Sequence, residues 1–171
     1  LQSLEMYGII KAFEPIFYAR IAQLSNKSNQ FNVTTRRYTQ TGIEQVADDS
    51  SYITLYGKLI DRFGDNGVVS VVIGHIVGEE CQIDLWIMSC RVLKRDMEKA
   101  MMDTLVHRCR DRGIKKIHGY YYPTAKNHMV FELFKTLGFE KINEDKAGNT
   151  EWLFKIPDNY ENQNKVINVE E

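Results

Sequence analysis

The chain has 171 residues, 43% of them hydrophobic, and its 22 basic and 23 acidic side chains leave a formal net charge of −1. That length suits one domain with a real core, and the charge balance gives no field to gather nucleic acid or an anionic membrane surface. No apolar run approaches the ~20 residues that span a bilayer. Cys81, Cys90 and Cys109 are odd in number and show no CxxC spacing, which argues against a disulfide framework or a zinc site and for a reduced, cytoplasmic protein without a metal.

The opening LQSLEMYGII carries no basic n-region and no small-residue cleavage site, so it is not a signal peptide. It starts without methionine and partway into an amphipathic pattern, and the chain is expected to be part of a longer protein. Phe13, Phe17, Ile21 and Leu24 recur at helical spacing, so Leu1 to about Asn29 is predicted to be helical, with Pro15 in a first turn. NQFNVTTRRYT then suits a loop leading into a short strand. Thr39 or Thr41 is placed to cap a brief helix through Ile43 and Val46.

Two β-rich runs follow, SYITLYGKLIDRF and GVVSVVIGHIV, separated by Gly64-Asp65-Asn66-Gly67. Asn-Gly predicts the hairpin turn, since both residues tolerate positive φ. CQIDLWIMSCRVL is apolar enough for a central strand covered on both faces. From Met97 to Arg112 the period changes, with Met97, Met101, Leu105 and Cys109 one turn apart, and Gly113 stops the helix. KKIHGYYYP reads as a strand. Asn127 is expected to cap a helix carrying Met129 to Leu137 and ending at Gly138. A last strand pair surrounds Lys146–Asn149, and the polar tail after Pro157 is expected to fray. The order implies an α/β (α+β) domain whose mixed, mostly antiparallel sheet contains at least one parallel crossover.

That order, with LGFEKI after the second helix, is similar to the GNAT superfamily of acyl-CoA-dependent acyltransferases over about Thr34 to Ile156. The resemblance implies strands that splay open after Cys90 to admit a pantetheine arm. It also implies a loop of R/Q-x-x-G-x-G/A type, before the long helix, that holds the pyrophosphate of coenzyme A on helix N-terminal amides. The matching positions are Arg91, Lys94 and Asp96, so both glycines are replaced. Asp96 opposes a pyrophosphate and reads otherwise as the N-cap of the Met97 helix. Phe134 stands where the family often has a tyrosine acid.

NKSNQFNVTTRRYT, DRFGDNG, IDLWIMSCRVLKRDME and YYPTAKN resemble, in order, the C-terminal half of the two-domain glyceryl-transferase/phosphatase proteins of methoxymalonyl-carrier-protein biosynthesis. In that family a HAD-type phosphatase domain with a D-x-D-x-T motif comes first; these 171 residues hold no such motif. The resemblance implies that residues 1–33 form a linker helix from the phosphatase domain, 34–157 the GNAT-like domain and 158–171 a tail. The chain would be the half that loads a glyceryl group, as a thioester, onto an acyl carrier protein. Its partners would be that carrier and the phosphatase domain, and its cofactor coenzyme A or the carrier's phosphopantetheine.

Within that frame Cys90 is the candidate nucleophile, since a thiolate both accepts an acyl group and leaves toward another thiol; otherwise it is a small core residue. Arg91, Lys94 and Arg95 lie beside it in sequence. His118 is a candidate base beside the acyl channel, or else a satisfied strand histidine. Asp84, in an apolar strand, shares a face with Trp86, Met88 and Cys90 if no bulge intervenes, and orients Arg91 or a substrate hydroxyl, or forms an ion pair. Lys126 and Asn127 match a coenzyme-A-contacting position, although Asn127 also suits a helix cap. Arg36 and Arg37 suit a phosphate or carboxylate, or else a solvated face. The competing functions are a non-catalytic module that docks the carrier and a coenzyme-A-dependent N-acetyltransferase.

Overall fold

The computed structural model describes residues 5–93 and 95–171. Eight strands form one sheet in the order β6-β7-β5-β4-β3-β2-β1-β8. In chain order they are β1 (Tyr7–Lys11), β2 (Tyr52–Asp61), β3 (Gly64–Val77), β4 (Glu80–Met88), β5 (Lys116–Tyr121), β6 (Glu140–Glu144), β7 (Thr150–Lys155) and β8 (Asn168–Glu170). Four α-helices accompany them: α1 (Tyr18–Lys27), α2 (Gln40–Ala47), α3 (Met97–Asp111) and α4 (Leu133–Thr136). The expected crossover is present, because β4 and β5 pair in parallel and α3 joins them.

The sheet separates two cores. Met97, Met101 and Leu105 of α3 pack with Leu55, Val72, Ile83 and Trp86, while Ile21 and Leu24 of α1 and Ile43 of α2 pack with Tyr56, Val71, Leu85 and Ile87 on the opposite face. Thr39 caps α2, accepting a hydrogen bond from the Gly42 amide.

Several sequence expectations are corrected. The predicted helix from Leu1 is confined to Tyr18–Lys27, after a 3-10 turn at Pro15–Phe17, and Tyr7–Lys11 is a strand paired antiparallel to β2. Leu1–Leu4 lie outside the described residues. The β2–β3 turn falls at Arg62–Phe63, not at Asn66-Gly67. There Asp61 accepts from the Phe63 amide at 2.8 Å, whereas Gly67, at φ +71°, sits in an irregularity of β3. The expected strand in NQFNVTT is reduced to one bridge, Asn32 to Ile87. The predicted helix after Asn127 is a 3-10 turn, His128–Val130, followed by the single turn of α4. The tail does not fray, because it wraps α3 and adds β8 alongside β1.

Gly119 marks how closely β5 and α4 approach. A Cβ there would lie 2.5 Å from the Phe134 ring, which is itself packed against Trp86, Phe139 and Trp152. A rigid aromatic in such a cluster cannot swing aside, so Gly119→Ala is expected to cost about 1–3 kcal/mol. Urea unfolding checks this, and an unchanged midpoint would mean that the ring has room to move.

Candidate functional site

β4 and β5 pair only at Glu80–Gln82 with Lys116–His118, so the splay begins well before Cys90, the position expected from sequence. At the C-terminal ends of the two strands a cleft of about 890 Å³ opens. β4 and the 3-10 turn Cys90–Val92 bring Cys90 to its wall, where the thiol is exposed. Ser89 positions that turn, accepting a hydrogen bond from the Arg91 amide at 3.3 Å.

The cleft's charge is one-sided. Arg20, Lys27, Arg91 and Lys126 line it, and no carboxylate or imidazole does so among the described residues. None of the four cations is in an ion pair among the described residues. Arg20 is held below the usual guanidinium value by its burial and then by the charge of Arg91, so the two cations repel each other. An anion placed between such cations relieves that repulsion, and phosphate oxygens suit guanidinium donors.

Of the residues singled out in the sequence, Cys90, Arg91 and Lys126 meet in this cleft, and Lys94 lies outside the described residues. Arg95 does not line it, because its guanidinium is paired with the buried carboxylate of Asp61. Arg37 is spent on the end of α1, donating to the Ser25 and Ser28 carbonyls at 2.7 Å each and to Asn29. Asn127 is fully buried and does not cap a helix: it accepts from the Thr124 amide at 2.8 Å and donates to the carbonyls of Asn32 and Tyr122, both at 3.0 Å. That leaves no free edge for a ligand.

His118 lies at the last β4–β5 pair, level with Gln82. The six residues of β4 from there to Met88 span about 20 Å, so His118 is not a base for Cys90. It sits between Glu80, 2.5 Å from its Nε2, and Glu151, 3.2 Å from its Nδ1. Asp84 is the extra residue of a bulge between β3 and β4, which breaks the expected parity. Trp86 and Met88 belong to the α3 core, whereas Ile83 precedes and Leu85 follows Asp84 on opposite faces. Its carboxyl is pushed up by burial, an effect opposed by the charges of Arg36 and His75, and Arg36 does not line the cleft.

Arg20 and Lys27 were not singled out in the sequence. With Leu24 and Ser28 they occupy one face of α1 at positions i, i+4, i+7 and i+8, so two cations spaced seven apart were the available signal. The position just before α3, matched in sequence to a glycine of the GNAT motif, keeps a glycine-like backbone. Asp96 has φ +65°, a left-handed conformation favouring glycine, and its side chain makes no capping bond. Cys81 and Cys109 are buried, and the Cys109 thiol is pushed up by its hydrogen bond with Cys81 and by burial.

This mixed sheet, with its parallel central strands diverging beyond Gln82 and His118 and a helix crossing over one face, superposes on solved acetyltransferases. The fold is that of GNAT. Ard1 from Thermoplasma volcanium superposes with a TM-score of 0.67 at 18% identity, covering 88% of this chain and 99% of its own. A GNAT-family acetyltransferase from Streptococcus pneumoniae gives 0.67 at 13%, covering 88% and 99%. The PaiA N-acetyltransferase from Thermoplasma acidophilum, solved in complex with coenzyme A, gives 0.63 at 12%, covering 86% and 98%. No family model matches the sequence, and no curated protein matches it. No helix among the described residues is long and apolar enough to cross a membrane.

The GNAT fold implies coenzyme A, and these residues do not fit it in the gap between β4 and β5. The chain's own residues 31–34 take the backbone groups of that gap, and Asp96 brings a carboxylate to the loop where the GNAT motif has glycine.

Proposed function

We propose that this chain is the acyl-handling half of a glyceryl transferase, carrying the acyl group on Cys90 and passing it to the phosphopantetheine thiol of an acyl carrier protein. The observation that carries this is an exposed thiol in a cleft lined, among the described residues, by four cations and no carboxylate. The glyceryl group, the carrier and a preceding HAD-type phosphatase domain are supplied by the sequence resemblance, and the neighbours' acetyl transfer is consistent with acyl chemistry in general.

The donor is an acyl phosphate of a phosphorylated three-carbon acid. The Cys90 thiolate attacks its carbonyl carbon; the C–S bond forms and the C–O bond to phosphate breaks, and phosphate leaves with the electron pair. The phosphate ester that the acyl group still carries is hydrolysed by the HAD-type phosphatase: water attacks phosphorus, the P–O bond to the acyl group breaks, and the freed alcohol takes the proton, leaving a glyceryl thioester. The carrier thiolate then attacks this thioester and Cys90 leaves as thiolate. Exchange between two thioesters is nearly isoenergetic, so positioning supplies most of the catalysis.

Intact mass of the chain, incubated with the acyl phosphate and a HAD-type phosphatase, tests this. The expected result is an increase of one glyceryl group that maps to Cys90. One observation favours a second reading: no imidazole or carboxylate lines the cleft among the described residues, so no side-chain base is at hand. Unmodified Cys90 together with retained carrier binding would make the chain a docking module.

A further inference from the structure

Beyond Gln82 and His118 the facing edges of β4 and β5 have left each other, and their backbone groups need partners. Residues 31–34 supply them. On the β4 side the Met88 amide donates to the Phe31 carbonyl at 3.2 Å, the Val33 amide to the Trp86 carbonyl at 3.3 Å, and the Thr34 hydroxyl to the Asp84 carbonyl at 2.6 Å. On the β5 side the Tyr122 amide donates to the Val33 carbonyl at 2.8 Å. Asn127 holds the Asn32 carbonyl at 3.0 Å, and Asn32 in turn donates to the Ser28 carbonyl at 3.1 Å and accepts from the Thr35 amide at 2.8 Å. Asn32 and Val33 are fully buried. The segment is a strap riveted between two diverging strands.

A phosphopantetheine arm is an extended chain with two amides, a thiol at one end and a phosphate at the other. Lying between diverging strands, it would have to pair its amides with the same N–H and C=O groups that the strap takes. The phosphate, by contrast, matches the cation-lined cleft beside Cys90. We propose that the strap stands permanently in the place of the arm, and that a thiol-bearing arm is recognised at Cys90 by its phosphate and not by its amides. This rests on the reading that the ligand of the cleft is such an arm. Specificity then falls on arms whose phosphate lies at the cleft, whichever group follows that phosphate.

The experiment uses the whole chain with 4′-phosphopantetheine, and separately with pantetheine, which lacks the phosphate, while amide exchange is followed at Val33, Met88 and Tyr122. Phosphopantetheine is expected to bind at least ~10-fold more tightly. The difference should shrink when Arg91→Ala and Lys126→Ala, both exposed positions, are combined. The three amides should stay protected at saturation. Equal affinities, no binding of either compound, or loss of protection at Val33 and Met88 on binding would overturn the proposal; the last would mean that the arm displaces the strap. Failure of acyl carriage by Cys90 would show instead as a missing mass adduct and would leave affinities and exchange unchanged, so the two outcomes separate.

Discussion

Cys90→Ser should abolish loading of a carrier thiol, by roughly 10³-fold or more, while leaving the fold intact. An oxygen ester is a poor acyl donor to a thiol, so serine would trap the group if it reacted at all. Because Cys90 is exposed, its replacement removes little packing, and the unfolding midpoint should move by less than about 0.5 kcal/mol. Alkylation gives an independent check on the same thiol. Cys81 and Cys109 are buried, and Cys109 is further disfavoured as a thiolate by its hydrogen bond with Cys81, so a small reagent at neutral pH should label Cys90 first. Transfer at an undiminished rate by the serine variant would leave the docking module as the better reading.

What the sequence made legible is what local chemistry decides. The methionine and leucine stripe of α3, the apolar run of β4, the cap at Thr39 and the stop at Gly113 each depend on neighbours within a few positions, and each lies where expected. Arg91 was placed beside Cys90 by adjacency in sequence and Lys126 at a coenzyme-A contact by the resemblance; that Lys126 shares a cleft with Cys90 was not read from the sequence. Tyr7–Lys11 was lost because the helical spacing beginning at Phe13 was extended backward over a strand whose partner, β2, lies some fifty residues on. The bulge at Asp84 leaves no local signature, and a one-residue insertion reverses every later side chain of the strand. Residues 31–34 were read only as part of a loop leading into a short strand, because their partners are backbone groups of strands far away in sequence, which composition does not reveal. Asn127 was expected at a cap, a role that asparagine fills on exposed helix ends; buried, the same amide ties its own loop at Tyr122 and Thr124 to the distant Asn32.

The tail yields the largest expected stability effect. Asp103 of α3 is 4% exposed and accepts three hydrogen bonds from the tail: the Tyr160 hydroxyl at 2.5 Å, the Gln163 amide at 2.8 Å and the Asn164 amide at 2.9 Å. Asn164 then turns the chain, accepting from the Val166 and Ile167 amides, and directs Ile167 toward Gly8 and β8 onto the edge of β1. Asp103→Ala leaves two backbone donors and a half-buried phenol without their acceptor, a cost of about 2–4 kcal/mol. For a domain of this size that corresponds to a fall in Tm of roughly 4–16 °C. The Asn168 amide, which donates to the Met6 carbonyl at 3.0 Å, should lose its exchange protection, and a protease should cut after Lys165. Asp103→Asn retains one acceptor oxygen and should fall between the two. If the alanine variant melts normally and keeps Asn168 protected, the tail is held by Ile167 and the β8 pairing, and the carboxylate is not its anchor.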